Sequence, residues 1–532
     1  MTRLLSDLVF SAAERFAHRP SLSCENIRYN YATLAQEVSA FAQGLLSFSV
    51  RPHERVAVYL PKQLEAVISI FGAAHAGCVF VPINPLLKPN QVKHILQDCN
   101  VRVLITLPER TAELREAIAE SVDLRHVIEV GADSKDLPLE RSNVSFHSWK
   151  EVLASAEGRA RHRVIDMDGA AIFYTSGSTG KPKGVVLSHT NMVTGAASVS
   201  QYLDNHPDDH LLSVLPLSFD YGFSQLSTAF RVGASVMLME YLLPREVPAK
   251  VGKEGITGLA GVPPLWNKLA DLEWPRSAQD SLRYLTNSGG TMMGETLQKL
   301  RKSLPKTRPF LMYGLTEAFR STYLPPAEID RRPNSIGKAI PNAEILVMRP
   351  DGTPCGANEP GELVHRGALV ALGYWNDPQT TAVRFKPISL PDWAPGRTEI
   401  AVWSGDLVKQ DEEGFLYFIG RNDESIKTSG YRVSPSEVEE ILFATGLVSD
   451  AVAFGVPHPD IGQVIAVVVV PASAASPDAN VLLEAYRRLS PLYMVPTIVE
   501  WREDLPRNPN GKYDRTGLRR EVLANRISAD TP

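Results

Sequence analysis

From residue 55 onward, short β-branched runs alternate with stretches whose apolar residues recur every three to four positions. Residues 55–60 (RVAVYL), 79–82, 101–106 (VRVLIT) and 126–130 read as strands, and residues 63–75 read as a helix between the first two. The alternation predicts a parallel sheet covered by helices, because parallel neighbours need a crossover and a helix makes it compactly. At about residues 340–420 the texture changes to short strands and turns, as in Asp351-Gly352 and Pro360-Gly361, which predicts a smaller β-rich subdomain. After Arg421 it changes again. Residues 434–444, with Pro435 in the first turn, and 481–489 read as helices, and residues 451–456 and 464–470 as strands. Together they suit a compact α+β domain of about 110 residues.

The first sixteen residues carry Leu4, Leu5, Leu8, Val9, Ala12, Ala13 and Phe16 at helical spacing, broken by Asp7, Glu14 and Arg15. This is expected to be an amphipathic surface helix and not a signal peptide. A chain of 532 residues, 44% hydrophobic and 22% charged with a net charge of -5, suits a multidomain enzyme and excludes a polyanion as an obvious partner. The longest apolar run, residues 464–470, is far short of the roughly 20 needed to cross a bilayer. The four cysteines (Cys24, Cys78, Cys99, Cys355) lack metal-site or disulfide spacing, and a cytoplasmic location is the expectation.

Chemistry enters at YTSGSTGKPKGV, residues 174–185, which follows the strand-like residues 171–174. Glycines let the backbone curl so that several N–H groups point at one anion, and the hydroxyls and lysines add donors, so the natural guest is phosphate. The Walker A pattern fails, because a Gly stands three residues before Gly180 instead of five and Pro182 follows Lys181.

The stretch TSGSTGKPKG resembles the signature of the adenylate-forming superfamily, which includes acyl-CoA synthetases, stand-alone adenylation enzymes and beetle luciferase. The resemblance runs nearly end to end. Ala76 to Pro85 is similar to an early motif, Tyr313-Gly314-Leu315-Thr316-Glu317 to YGxTE, Ser404-Gly405-Asp406 to [ST]GD, and Pro509-Asn510-Gly511-Lys512 to a C-terminal PxGK. The texture of residues 315–325 and 356–375 is also similar to AMP-ligases found with exosortase systems. The resemblance implies an α/β fold in which a large N-terminal adenylation domain (1–420, with the β-rich subdomain at about 335–420) is joined by a hinge at 421–424 to a small mobile C-terminal lid (425–532).

It also implies a reaction, in which ATP and a carboxylate give acyl-adenylate and pyrophosphate and a phosphopantetheine thiol, of CoA or of a separate carrier protein, then takes the acyl group. Two anions meet at the α-phosphorus, so cationic groups and Mg²⁺ are needed there. By resemblance Thr175, Ser176, Gly177, Ser178, Thr179, Gly180 and Lys183 hold the pyrophosphate portion of ATP. Gly289 belongs to the ATP site, Tyr313 and Phe418 lie near adenine, Asp406 at the ribose, Arg421 at the ribose or the phosphate, Thr316 at the α-phosphate and Glu317 on Mg²⁺. Lys512 serves adenylation. Asp423 is the hinge residue, and Lys427 and Gly430 belong to the face used for thioester formation. Taken singly, Glu317 reads as a helix cap, Asp406 as a turn residue and Lys512 as a solvated lysine; the ordered set of motifs gives them their roles.

The acid pocket carries two departures from a fatty-acid tunnel, Asp220 and Arg320. Desolvating a carboxylate is costly unless a cation meets it, so Asp220 suits the ammonium of an amino acid, or else it caps a helix. Arg320 suits a second carboxylate, which makes an aspartate-like amino dicarboxylate a candidate, or else it pairs with a neighbouring acid such as Asp220 itself. Tyr221, Ser224, Gly261, Thr286, Ser288 and Met312 are expected to share that wall. The leading expectation is an amino-acid ligase loading a separate carrier protein. An acyl-CoA ligase for a short or polar acid and a non-catalytic relative are the alternatives.

Overall fold

The computed structural model describes residues 2–133, 143–155, 160–175, 182–292, 294–389, 398–421, 425–472, 478–506 and 513–529. The N-terminal helix, Asp7–Phe16, buries Leu8, Val9 and Ala12 along one stripe, as its spacing predicts. Helix Tyr31–Ser47 starts where the Asn30 side chain accepts from the Thr33 N–H, a cap that satisfies one of the orphan donors of the first turn. Helix Leu64–Ala76 is buried on almost every face.

Among the described residues the strands form sheets of 14, 8 and 5 members. In the 8-stranded sheet, Val79–Pro82, Arg55–Val58, Val101–Thr106, His126–Glu129 and Ser145–Ser148 run parallel in that spatial order, as the alternating pattern requires. One edge departs from the expectation of an all-parallel sheet. Gly169–Thr175 pairs antiparallel with Lys183–Ser188, with Tyr174 opposite Gly184 and Thr175 opposite Lys183. The glycine-rich stretch thus joins two strands of one hairpin, and Lys183 belongs to a strand. Two apolar runs this close in sequence close a ladder through a short connection, which parallel neighbours could not do.

The 14-stranded sheet has a parallel centre: Ser235–Leu238, His210–Ser213, Gly258–Gly261, Tyr284–Asn287 and Arg308–Tyr313. It continues antiparallel through Thr322–Leu324, Ser335–Ala339, Leu416–Arg421, Thr398–Gln410, Gly361–Gly367 and Ala343–Met348. The β-rich texture of the sequence is therefore the antiparallel extension of a parallel sheet.

The 5-stranded sheet pairs Val448–His458 with Gly462–Pro471 along most of their length, and Ile498–Trp501 joins the latter in parallel. Helices Pro435–Ala444 and Ala479–Leu489 cover one face around Val438, Leu442, Leu482 and Tyr486. The molecule is thus a mixed α/β protein with a large N-terminal and a small C-terminal part, each with its own core. No described helix is long and apolar enough to cross a membrane.

Candidate active site

The parallel strands of both large sheets end on one crevice, the place where open α/β sheets present their loops to a ligand. A cavity of about 590 Å³ occupies it. Lys62 follows strand Arg55–Val58, Asn84 follows Val79–Pro82, Asp220 and Tyr221 follow His210–Ser213, and Glu240 follows Ser235–Leu238. Ser288 and Gly289 follow Tyr284–Asn287, and Thr316 and Glu317 follow Arg308–Tyr313. Side chains scattered over roughly half of the sequence meet because parallel strands place equivalent ends together.

Thr316 and Glu317 sit in a single helical turn, Thr316–Ala318, on the cavity wall. Glu317 is buried, and its Oε1 accepts a 2.6 Å hydrogen bond from the Tyr374 hydroxyl. Its Oε2 makes no hydrogen bond among the described residues, so one carboxylate oxygen is left facing the cavity region. The described residues hold no cluster of three or more His, Cys, Asp or Glu side chains suited to a metal. A cation here would take a Glu317 oxygen, with phosphate and water in its shell, which is how Mg²⁺ ordinarily binds beside a nucleotide. The donor set fits.

Asp406 lies buried within strand Thr398–Gln410, opposite the backbone of Arg421, and accepts a short hydrogen bond from the Tyr313 hydroxyl. Before it, Gly405 adopts φ +72°, a left-handed conformation inside the strand, and this, unlike the turn expected from the sequence, is why the [ST]GD stretch favours glycine. Lys183 donates to Thr380 Oγ1 at 2.8 Å and lies 3.3 Å from Asp377, which fixes it to the helix Pro378–Arg384 and its capping residue.

The acid pocket is more closed than its sequence suggests. Asp220 opens helix Asp220–Val232, where a carboxylate is favoured by the helix dipole. Arg320 is 2% exposed. Its Nη1 donates to Asp220 Oδ2 at 2.7 Å and to the Phe319 carbonyl at 2.6 Å, and its Nη2 donates to Ser224 Oγ at 2.8 Å. The guanidinium also lies 4.9 Å above the Tyr221 ring. Of the two alternatives, Arg320 therefore pairs with Asp220, and the fork offered to a second carboxylate is largely occupied by the chain itself. Tyr221 bonds Thr286 Oγ1 at 2.7 Å. Asp220, Tyr221, Ser288 and Arg320 line the cavity; Ser224 lies behind Arg320, and Gly261, filled by the Trp266 ring, and Met312, bonded to Tyr202, are part of the supporting wall.

The small C-terminal part completes the chamber. Lys427, Gly430 and Arg432 line the same cavity as Thr316, Glu317 and Asp406. Tyr431 packs edge-on against Phe219 at 5.3 Å and stacks on Tyr493 at 3.7 Å. Gly430 has φ +82°, and a Cβ there would meet Val262 Cγ2 at 2.9 Å. Phe418 stands apart, in an adjoining groove with Gly289 and Lys427, whose Nζ is 6.0 Å from the Phe418 ring centre. Ser176, Gly177, Ser178, Thr179, Gly180, Asp423 and Lys512, with the Arg421 side chain, lie outside the described residues, whereas Thr175 lines the cavity.

Sequence reading missed Lys62, Gln91, Glu240 and Glu437, all on the cavity wall. The Lys62 ammonium donates to the carbonyls of Ser213 and Met239 at 3.0 and 3.1 Å, and burial pulls its pKa down to about 7. The available signal was a Pro-Lys pair directly after an apolar strand.

A model of the AMP-binding enzyme family matches residues 9–375, and one of the AMP-binding enzyme C-terminal domain matches residues 437–512. The chain is 28% identical over 549 residues to a long-chain-fatty-acid–CoA ligase of Yersinia pestis, covering 98% of this chain and 94% of that protein. It is 29% identical over 510 residues to part of a linear gramicidin synthase of Brevibacillus parabrevis, covering 95% of this chain and 9% of that much longer one. In fold it is similar to the amide bond synthetase McbA of Marinactinospora thermotolerans (TM-score 0.83, 24% identity, 97% of this chain and 99% of that). It is likewise similar to the o-succinylbenzoate CoA synthetase MenE of Bacillus subtilis (TM-score 0.80, 24% identity, 96% and 97%).

Proposed function

Because the chain belongs to the AMP-binding enzyme family and is an AMP-forming acid–thiol ligase, we propose that it activates an amino acid as its acyl-adenylate and passes it to the phosphopantetheine thiol of a separate carrier protein. The observation that carries this reading is the Asp220–Arg320 pair on the cavity wall. Asp220 keeps 16% of its side-chain exposure against 3% for Arg320, so the carboxylate is the partner that a guest reaches. Its Oδ1 makes no hydrogen bond among the described residues and can accept from an ammonium group. An apolar chain in its place would bury the Asp220 Oδ1 acceptor without a donor. With its fork engaged, Arg320 orients Asp220 and does not call for a second carboxylate on the guest.

In this reading Asp406 accepts the ribose hydroxyls, Thr316 contacts the α-phosphate and Glu317 holds the metal. Mg²⁺, when bound, supplies positive charge that offsets the phosphates and the incoming carboxylate. Lys512, delivered by the small domain, bridges the acid and the α-phosphate, and rotation about Asp423 between a large domain (1–420) and a small one (425–532) then presents Lys427 and Gly430 for thioester formation. The place of Lys427 and Gly430 on the cavity wall supports this second, thiol-accepting pose.

A second reading, a CoA ligase for a short carboxylic acid, is favoured by the apolar side of the same cavity, lined by Val58, Leu60, Ile70, Phe173 and Val214. Substrate-dependent ATP–pyrophosphate exchange across amino acids, amino dicarboxylates, and fatty and aryl acids separates the two. Exchange driven by amine-bearing acids and lost on Asp220→Asn supports the first; exchange confined to acids without an amine sinks it.

A further inference from the structure

Glu437, on helix Pro435–Ala444 of the small domain, is 8% exposed at the seam between the two domains. Its Oε1 accepts a 3.1 Å hydrogen bond from Gln91 Nε2, on helix Pro89–Asp98 of the large domain. Gln91 is itself oriented, because its Oε1 accepts from the Lys88 backbone N–H. The amide therefore presents its NH₂ group across the seam, where it also reaches Met494 Sδ at 3.7 Å.

No cation answers this carboxyl among the described residues. From helix Pro89–Asp98, Lys93 turns away to Glu116 and Glu120, and His94 bonds the Pro182 carbonyl. On its own helix, Glu440 is a like charge, and Glu439 is bonded to Arg515 and the Ala453 N–H. From helix Ala479–Leu489 and the turn Leu492–Met494 it faces the phenols of Tyr486 and Tyr493, both kept protonated far above neutrality by burial. Tyr431 stacks on Tyr493 and extends the same apolar wall toward the cavity.

We propose that Glu437 is a positioning residue for the second half-reaction: its carboxyl, seated on Gln91, latches the small domain in the orientation that brings Lys427 and Gly430 to the cavity. The latch rests on the two-pose reading of the proposed function. Burial is the main influence on Glu437 and pushes it up to about 7, with the Gln91 hydrogen bond opposing and Glu440 adding to the rise. Rotating the domain away returns the side chain to water and to its ordinary value of 4.5. Closure therefore takes up a proton between those two values. In that window each unit rise in pH lowers the closed-to-open ratio about tenfold; above about 7 both poses are ionised and the ratio levels off.

The test compares the full-length chain with its Glu437→Gln variant, which keeps the size and neutrality of the protonated form at every pH. Single-turnover transfer from preformed acyl-adenylate to a phosphopantetheine thiol is followed from about pH 5.5 to 8.5. The ratio of the variant rate to the wild-type rate should rise roughly tenfold or more between about pH 5.5 and 7.5, then level off, since thiol ionisation cancels in it. Amide hydrogen exchange, corrected for intrinsic rates, should lose protection at residues 89–98 and 431–444 over the same range in the wild type only. Gln91→Ala should slow transfer at all pH values, and by a larger factor than it slows pyrophosphate exchange. Parallel profiles for wild type and Glu437→Gln, in transfer and in protection, overturn the latch. Absent transfer with the protection pattern intact overturns the two-step reading and leaves the latch standing.

Discussion

Tyr374 donates its phenolic hydrogen to Glu317 Oε1 at 2.6 Å, and in doing so ties the two large sheets together. Tyr374 stands on a two-residue edge strand that pairs with Lys183–Ser188, and Glu317 lies in the turn beyond Arg308–Tyr313. The Ala371 N–H reinforces the link by donating to the Glu317 carbonyl at 2.9 Å. The carboxylate is thus aimed by a group far from it in sequence.

With Glu317 as the proposed metal ligand, removing that hydroxyl should weaken metal use without removing the carboxylate. Tyr374→Phe is expected to raise the Mg²⁺ concentration giving half-maximal pyrophosphate exchange by about tenfold, the usual cost of losing a partner that orients a metal-binding group. Glu317→Gln should be much worse. An Mg²⁺ titration of exchange checks both, and equal curves for Tyr374→Phe and wild type would show that the carboxylate needs no such support.

The Asp220–Arg320 pair predicts a charge effect on stability. Arg320→Ala leaves a carboxylate facing a largely buried wall and should cost about 3 kcal/mol in urea unfolding, as breaking one side of a buried pair does. The double variant Asp220→Asn, Arg320→Met should recover much of the loss while abolishing exchange driven by amine-bearing acids. Additive losses would mean that the two side chains act independently.

Lys62 supplies a pH prediction. Its folded value, about 7, lies below its unfolded one near 10.5, because burial penalises the ammonium. Between those values the unfolded chain holds the extra proton, so this residue costs stability as pH falls toward 7 and stops costing more below it. Measured as the difference in urea stability between wild type and Lys62→Met, the wild type should gain roughly 3 kcal/mol at most on going from about pH 7 to 9.5. A difference independent of pH would place the ammonium in water.

The small-domain face predicts a split between half-reactions. Gly430→Ala both strains a left-handed residue and pushes a methyl into Val262, so thioester formation should fall at least about tenfold while pyrophosphate exchange persists. Lys427→Ala should show the same split in milder form. Quench-flow measurement of acyl-adenylate and thioester in one experiment reads both, and a parallel loss would place these residues in adenylation.

The elements and the ordered motifs were legible in the amino-acid order. Short β-branched runs marked Arg55–Val58 and Val101–Thr106, and a 3.6-residue apolar period marked Asp7–Phe16, because local backbone geometry dictates which side chains share a face. The glycine in Ser404-Gly405-Asp406 was legible for the same local reason, its positive φ. Which side chains meet was settled only by packing in three dimensions. That Arg320 spends its donors on Asp220 and Ser224, that Tyr374 reaches Glu317, and that Glu437 crosses a seam to Gln91 all depend on strand order and domain orientation. A one-dimensional pattern carries no information about separations of 57 to 346 residues, because those contacts follow from how whole sheets and helices pack, and many sequences of the same periodicity would pack alike.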